Sequence, residues 1–308
     1  MNQTPQNLEP RPEFSDRVLA ILQATAAGAT AARALDAPGE TETLQLFLLD
    51  GLLEAVEWAN DGVASDEAAC LWLAGLRWRH AVTGSFPEGA PEPLPRWIDA
   101  AFADTGVLPA PNLAPGDPQN RTALSDPEMA STGRPAHPTA DGPGVLPRAA
   151  VMALLPRVDE GTTARLASDA AALTHGAPAA HRAAASAALA VRAGLDLGVE
   201  ATQRWQELLE QLAQDEGTSS TALGAALAAA LEEMASGLSE TGGVPGVVRR
   251  LGSAPDPDTA GYAAALVASA RGYRPADGRP QSAVDSVIHQ MHHRWVEAVL
   301  GAAPEPAG

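Results

Sequence analysis

An all-α fold is what this sequence predicts, and three observations predict it. Apolar residues recur at three- and four-residue spacing along ten separate stretches, whereas no segment alternates with the period-two pattern of a half-buried strand. Hydrophobic residues make up 45% of the chain but aromatics only 4%, so the interior must be built largely from Ala, Leu and Val, whose small side chains favour close helix packing. At 308 residues the chain can bury roughly 75% of the surface its unfolded form exposes, enough for one core without an oligomer. The expectation is a compact single-domain helical bundle over residues 14–301, monomeric, with flexible Pro-rich ends at 1–13 and 302–308.

The helical stretches follow one another as 16–27, 44–60, 65–82, 148–155, 164–174, 180–195, 201–214, 221–236, 260–271 and 282–300. The second opens on Glu40-Thr41-Glu42-Thr43, and the ninth on Asp256-Pro257-Asp258-Thr259. Between the third and fourth, residues 85–147 are dense in Pro and Gly, which rules out long helices there. Only Arg96–Phe102 and Arg121–Leu124 read as short ones. A linker between two domains is the plain reading of that region; a long loop region within one domain is the reading preferred here. Trp58, Trp72, Trp78, Trp97, Trp205 and Trp295 are spread over the helices and are expected to anchor the core.

Charge and composition exclude several functions. With 38 acidic residues against 20 basic ones the formal net charge is −18, which disfavours nonspecific attraction to nucleic acid or to an anionic membrane surface. Every basic side chain is Arg, so a P-loop, a kinase or a Schiff-base enzyme, each needing its Lys, is out. The single Cys70 permits no internal disulfide and no Cys-based zinc site, in keeping with a reducing cytoplasm. The polar start, Met1 to Asn7, lacks the charged and apolar regions of a secretory signal, and no apolar run approaches the roughly 20 residues of a membrane span. A soluble cytoplasmic protein is expected.

Four places could carry chemistry. The carboxylates and hydroxyls of the 40–43 and 256–259 clusters are hard ligands that could converge on Mg²⁺ or Ca²⁺; they are equally the residues a helix prefers at its cap and first turn. Gly142 and Gly144, beside Asp141 and ahead of a helix, could let the backbone approach an anion, or simply form a turn. His175 closes an Ala-rich helix, where the dipole favours it, or lines a pocket. His289, His292 and His293, with Asp285, have helical spacing that could chelate a metal, though a solvated helix face explains them as well.

The order of these segments resembles the ADP-ribosylglycohydrolase family. Glu40–Thr43 and the following helix are similar to its T-D-D-T opening, Asp141–Ala150 to its Gly-rich loop and helix, Ala172-Leu173-Thr174-His175-Gly176 with Pro178 to its A-L-T-H-G-x-P segment, and Asp256–Thr259 to its late D-x-D-T. The resemblance implies the family's all-helical fold and hydrolysis of the glycosidic bond to ADP-ribose, assisted by a two-magnesium centre. It assigns metal ligation to Thr41, Glu42, Asp256, Asp258 and Thr259, catalysis to Glu42 and Asp256, and substrate contacts to Asp141, Gly142, Gly144 and His175. The chain departs from the family at Gly28-Ala29, where a Gly-Asp pair is usual, at Thr41, which replaces an Asp, and at Ala254-Pro255. Two cations need shared carboxylates to offset their repulsion, so one Mg²⁺ site is expected on the late cluster and a second that is weak or empty. Two functions follow: a weakened Mg²⁺-dependent hydrolase of an ADP-ribosylated acceptor, or an inactive relative that binds ADP-ribose or a related nucleotide, or acts as a scaffold.

Overall fold

The structure is a computed structural model that describes residues 10–33, 37–108, 113–236, 243–275 and 284–301. It is all-α, without a strand among the described residues. The helices are α1 (Phe14–Arg33), α2 (Glu40–Asn60), α3 (Glu67–Thr83), α4 (Trp97–Thr105), α5 (Pro118–Ala123), α6 (Val145–Met152), α7 (Glu160–Ala172), α8 (Pro178–Leu197), α9 (Ala201–Leu212), α10 (Thr218–Ala235), α11 (Val244–Arg250), α12 (Pro257–Arg271) and α13 (Asp285–Leu300). The end segments expected to be loose fall largely outside the described residues: 1–9 and 302–308.

Local chemistry sets the helix ends. Asp66, Asp117, Asp159 and Asp256 cap α3, α5, α7 and α12 by accepting a backbone N–H of the first turn, and Pro at the start of α5, α8 and α12 presets its geometry. Helices α3 and α4 stop at Gly84 and Gly106, whose positive φ angles of 82° and 65° a residue with a Cβ adopts only at a cost. The α6 helix starts three residues earlier than periodicity alone predicts, because Val145 continues the turn made by Gly144. Helix α11 has no counterpart among the predicted stretches; its seven residues hold too few periods to register.

Small residues set the depth of packing. Helix α8 buries Ala180, Ala183, Ala184, Ala187 and Ala188 on one face. Helices α1 and α12 cross backbone to backbone: a Cβ on Gly28 would lie 2.7 Å from the Ala260 carbonyl oxygen, and one on Gly261 would lie 2.8 Å from that of Thr25. Large side chains are anchored by single polar contacts, Trp205 Nε1 to the Ala190 carbonyl at 2.8 Å, Tyr262 Oη to the Ala187 carbonyl at 2.9 Å, and Trp78 Nε1 to Thr43 Oγ1 at 2.9 Å. Asp50 is wholly buried on α2 and accepts from Arg77, Arg96 and Trp97, which ties α3 and α4 to it. The α1–α12 crossing and the anchoring of α2 together bring the first turns of α2 and α12 to one place.

Candidate active site

Thr41 in the first turn of α2 donates its hydroxyl to Asp258 Oδ2 in the first turn of α12, at 3.2 Å. The two acidic clusters, far apart in sequence, therefore touch. Asp256 caps α12 with one oxygen, Oδ1, which accepts from Thr259 N at 2.8 Å and Thr259 Oγ1 at 3.0 Å; the residue itself is exposed, while Asp258 and Thr259 behind it are buried. Beside it opens a cleft of roughly 830 Å³ whose walls come from Pro143, the start of α10 and the 251–259 segment.

Glu42 is not among the residues that line that cleft. Arg33, the last residue of α1, forms an ion pair with its Oε2, which also accepts the Gly39 N–H, and only a glycine leaves room for both groups. Burial pushes the Glu42 carboxyl up to about 7 even against this pairing, and its other oxygen, Oε1, is buried with no partner. Asp258 is pushed up to about 8, first by burial and then by Asp256, with Glu42 and Asp117 adding to it against the Thr41 hydrogen bond. The site thus holds more buried carboxylate than its cations neutralise. Among the described residues no three His, Cys, Asp or Glu side chains are disposed to hold a metal ion, so a cation here needs the Thr41 and Thr259 hydroxyls besides Asp256 and Asp258. Those hard oxygens and the surplus negative charge are of the kind that a hard divalent cation takes. A cation on Glu42 Oε2 would have to displace the Arg33 guanidinium.

The Gly-rich loop meets a different neighbour. A Cβ on Gly142 or Gly144 would strike the carboxylate of Asp117, the cap of α5. Asp117 Oδ2 lies 2.9 Å from His175 Nε2, and Asp117 borders a polar recess of about 330 Å³ that Asp141 and Gly142 also line. Burial alone would raise Asp117, but the His175 hydrogen bond, the Gln119 N–H and the Arg148 charge outweigh it and hold it at about 2. Asp141 is turned to the start of α10, where it accepts from Thr218 N at 2.7 Å, Ser219 N at 3.1 Å and the Ser219 hydroxyl. An internal carboxylate therefore covers the first N–H groups of α10, the place where a helix would offer its positive end to a phosphate.

His175 is fully buried and lies between Asp117 and Thr174, and Arg148, also buried, bonds Thr174, Asn120 and the Gly144 carbonyl. Thr41, Asp258, Gly142, Gly144 and His175 are in this way joined through one set of contacts, with Asp256 at its open edge and Glu42 paired instead with Arg33 and Gly39. Sequence reading did not single out Arg33, Asp117, Asn120, Arg148 or Thr174 as site residues. Arg148 and Thr174 fell inside segments already quoted, yet nothing in their spacing distinguished a buried guanidinium from a surface one. Asp117 and Asn120 stand in the Pro-rich region, where no periodicity fixes which way a side chain faces. On α13, His292 is taken up by Ser15 and His289 by Gln23, so those histidines serve helix contacts.

The model of the ADP-ribosylglycohydrolase family matches residues 11–302. A solved structure titled "ADP-ribosylglycohydrolase-related protein complex" superposes with a TM-score of 0.54 over 95% of this chain and 100% of that one, at 19% identity, a likeness of fold. No curated protein matches the chain.

Proposed function

This chain belongs to the ADP-ribosylglycohydrolase family, and from that premise we propose that its cleft binds an ADP-ribosyl group and, with a single Mg²⁺, hydrolyses the glycosidic bond slowly. The family acts on ADP-ribosylated substrates and is generally metal-dependent. One observation carries the reading to this chain: the Thr41–Asp258 contact at 3.2 Å, which joins the two oxygen-rich helix starts beside the large cleft.

Thr41, Asp256, Asp258 and Thr259 would hold the cation, with Glu42 supplying charge from behind. Bound there, Mg²⁺ supplies the positive charge that fixes ribose hydroxyls and offsets charge developing at the scissile bond. Asp256 is the accessible carboxylate; its capped oxygen fixes its orientation and leaves the other free to take a proton from a water at the cleft edge. Asp117, kept ionised, is an acceptor for a ligand hydroxyl in the recess.

A second reading, an ADP-ribose-binding relative without turnover, is supported by a specific pair of contacts. Arg33 neutralises Glu42, and Asp141 covers the start of α10, so a cation and a phosphate would each meet a position filled from within. The test is release of ADP-ribose from arginine-, serine- and nucleic-acid-linked substrates with and without Mg²⁺, alongside calorimetric titration with ADP-ribose. Slow Mg²⁺-dependent release on one linkage supports hydrolysis. Binding without release supports the second reading, and absence of both overturns the assignment of the cleft.

A further inference from the structure

We propose that Arg148 is the positioning residue of the cleft, a donor-only guanidinium whose two arms set the direction of every hydrogen bond outward to Asp117 on one branch and to Asp258 on the other. Arginine has N–H donors and no acceptor. On the first branch Arg148 Nη1 donates to Thr174 Oγ1, so the one hydroxyl proton of Thr174 goes to its remaining neighbour, His175 Nδ1, at 2.8 Å. His175 therefore carries its proton on Nε2 and donates it to Asp117 Oδ2 at 2.9 Å. The opposite tautomer would set a lone pair of Nε2 against an ionised carboxylate. On the second branch Nη2 donates to Asn120 Oδ1, which orients the amide so that Nδ2 donates to Thr41 Oγ1 at 3.3 Å, and Thr41 in turn gives its proton to Asp258 Oδ2 at 3.2 Å.

Burial makes the direction strict. Arg148, Asn120, Thr41, Thr174 and His175 are all buried, so water is not at hand to reverse a bond, and a mispaired group would stay unsatisfied. The consequence at each end differs. At Asp117 the incoming N–H leaves the carboxylate an acceptor facing the recess. At Thr41 the proton is spent on Asp258 and one lone pair on Asn120, which leaves the second lone pair free. Burial is the first influence that lowers His175; Asp117 and Asp141 act to raise it and Arg148 to lower it, and of these Arg148 acts through Thr174 as well as by charge.

The proposal rests on the cleft reading only in taking Asp117 and Asp258 as the groups that serve a ligand; the bond directions can be tested without any ligand. In the full-length protein labelled with ¹⁵N at histidine, with His175→Gln used to assign the signal, His175 is expected to be neutral with its proton on Nε2 from pH 6 to 8. Thr174→Val removes the hydroxyl at similar size, and Arg148→Met removes the source; either should raise the His175 titration midpoint by about one unit or more, since the donor to Nδ1 favours the neutral ring. Thr174→Ser should restore the wild-type signal, and it covers the case in which Arg148→Met does not fold. ADP-ribose affinity should fall roughly tenfold in Thr174→Val, about the loss of one hydrogen bond, and stay within about twofold in Thr174→Ser.

An Nδ1–H tautomer in the wild type, or a His175 signal unmoved by Thr174→Val, overturns the proposal. A moved signal with unchanged ADP-ribose affinity also overturns the positioning role. A wild type that shows the expected tautomer but binds no ADP-ribose upholds the bond directions and sinks the cleft reading instead.

Discussion

At the scale of single residues, the site is notable for charges that the protein fills from within. Asp258 carries the clearest consequence. Its folded pKa of about 8 lies above the ordinary carboxylate range, so the folded state binds a proton the unfolded state releases. Its contribution to stability is therefore complete below about pH 4 and is lost as pH rises through about 8. Metal-free protein should melt at progressively lower temperature from about pH 6.5 to pH 8, above the range in which His175 and His292, depressed by burial, act in the opposite direction; Asp258→Asn should flatten that fall, and Mg²⁺ should raise the melting temperature most at pH 8, whereas a wild-type melting temperature that climbs over this range would refute it. Glu42, raised to about 7, adds to the same trend. Asp141 gives a second expectation. Asp141→Asn keeps one side-chain oxygen for Ser219, turns its NH2 toward Thr218 N and removes the negative charge at the start of α10, so stability should fall by about 1–2 kcal/mol while ADP-ribose binds several-fold more tightly. Calorimetry and thermal melting on the one variant check both halves.

At the scale of helices, capping and ligation have to be separated, because the same Asp256 does one and is proposed for the other. Asp256→Ser retains a cap for Thr259 N and should leave the melting temperature nearly unchanged while cation binding falls; Asp256→Ala should lose both, at about 0.5–2 kcal/mol of stability. Equal cation affinity in wild type and Asp256→Ser would leave Asp256 a helix cap and nothing more. The helix count and type were largely legible in the sequence because long amphipathic periods announce themselves, as at α2, α8 and α12. Helix α11 was not, being too short, and α5 was read three residues late because its true start, Asp117-Pro118, is a cap signal embedded among many other prolines. The two metal-type clusters were legible as helix starts by composition. Their contact through Thr41 and Asp258 was not, since no rule of spacing reports which helix start faces which. The partner of Glu42 was hidden for the same reason: Arg33 ends one helix and Glu42 lies in the first turn of the next, and the sequence between them carries no mark of an ion pair.

At the scale of the whole molecule, an Ala-rich interior exchanges large anchors for short distances between helix axes. That makes the α1–α12 crossing intolerant of added volume. Gly28→Ala places a methyl group 2.7 Å from the Ala260 carbonyl oxygen and 2.9 Å from Ala264 Cβ, and should cost about 1–3 kcal/mol by overpacking. Chemical denaturation of Gly28→Ala against wild type measures it. Helix α1 also ends on Arg33, which pairs with Glu42, and α12 carries Asp258 in its first turn, bonded to Thr41, so the helices that touch through glycines bring opposite charges to the first turn of α2. Thermodynamic linkage makes coupling reciprocal: a change at the α1–α12 crossing that weakens binding at the cleft by a given free energy means that a ligand seated there tightens the crossing by the same amount. Amide protons around Gly28 and Gly261, remote from any bound molecule, should consequently exchange with solvent more slowly when the cleft is filled, making the glycine crossing a reporter of occupancy.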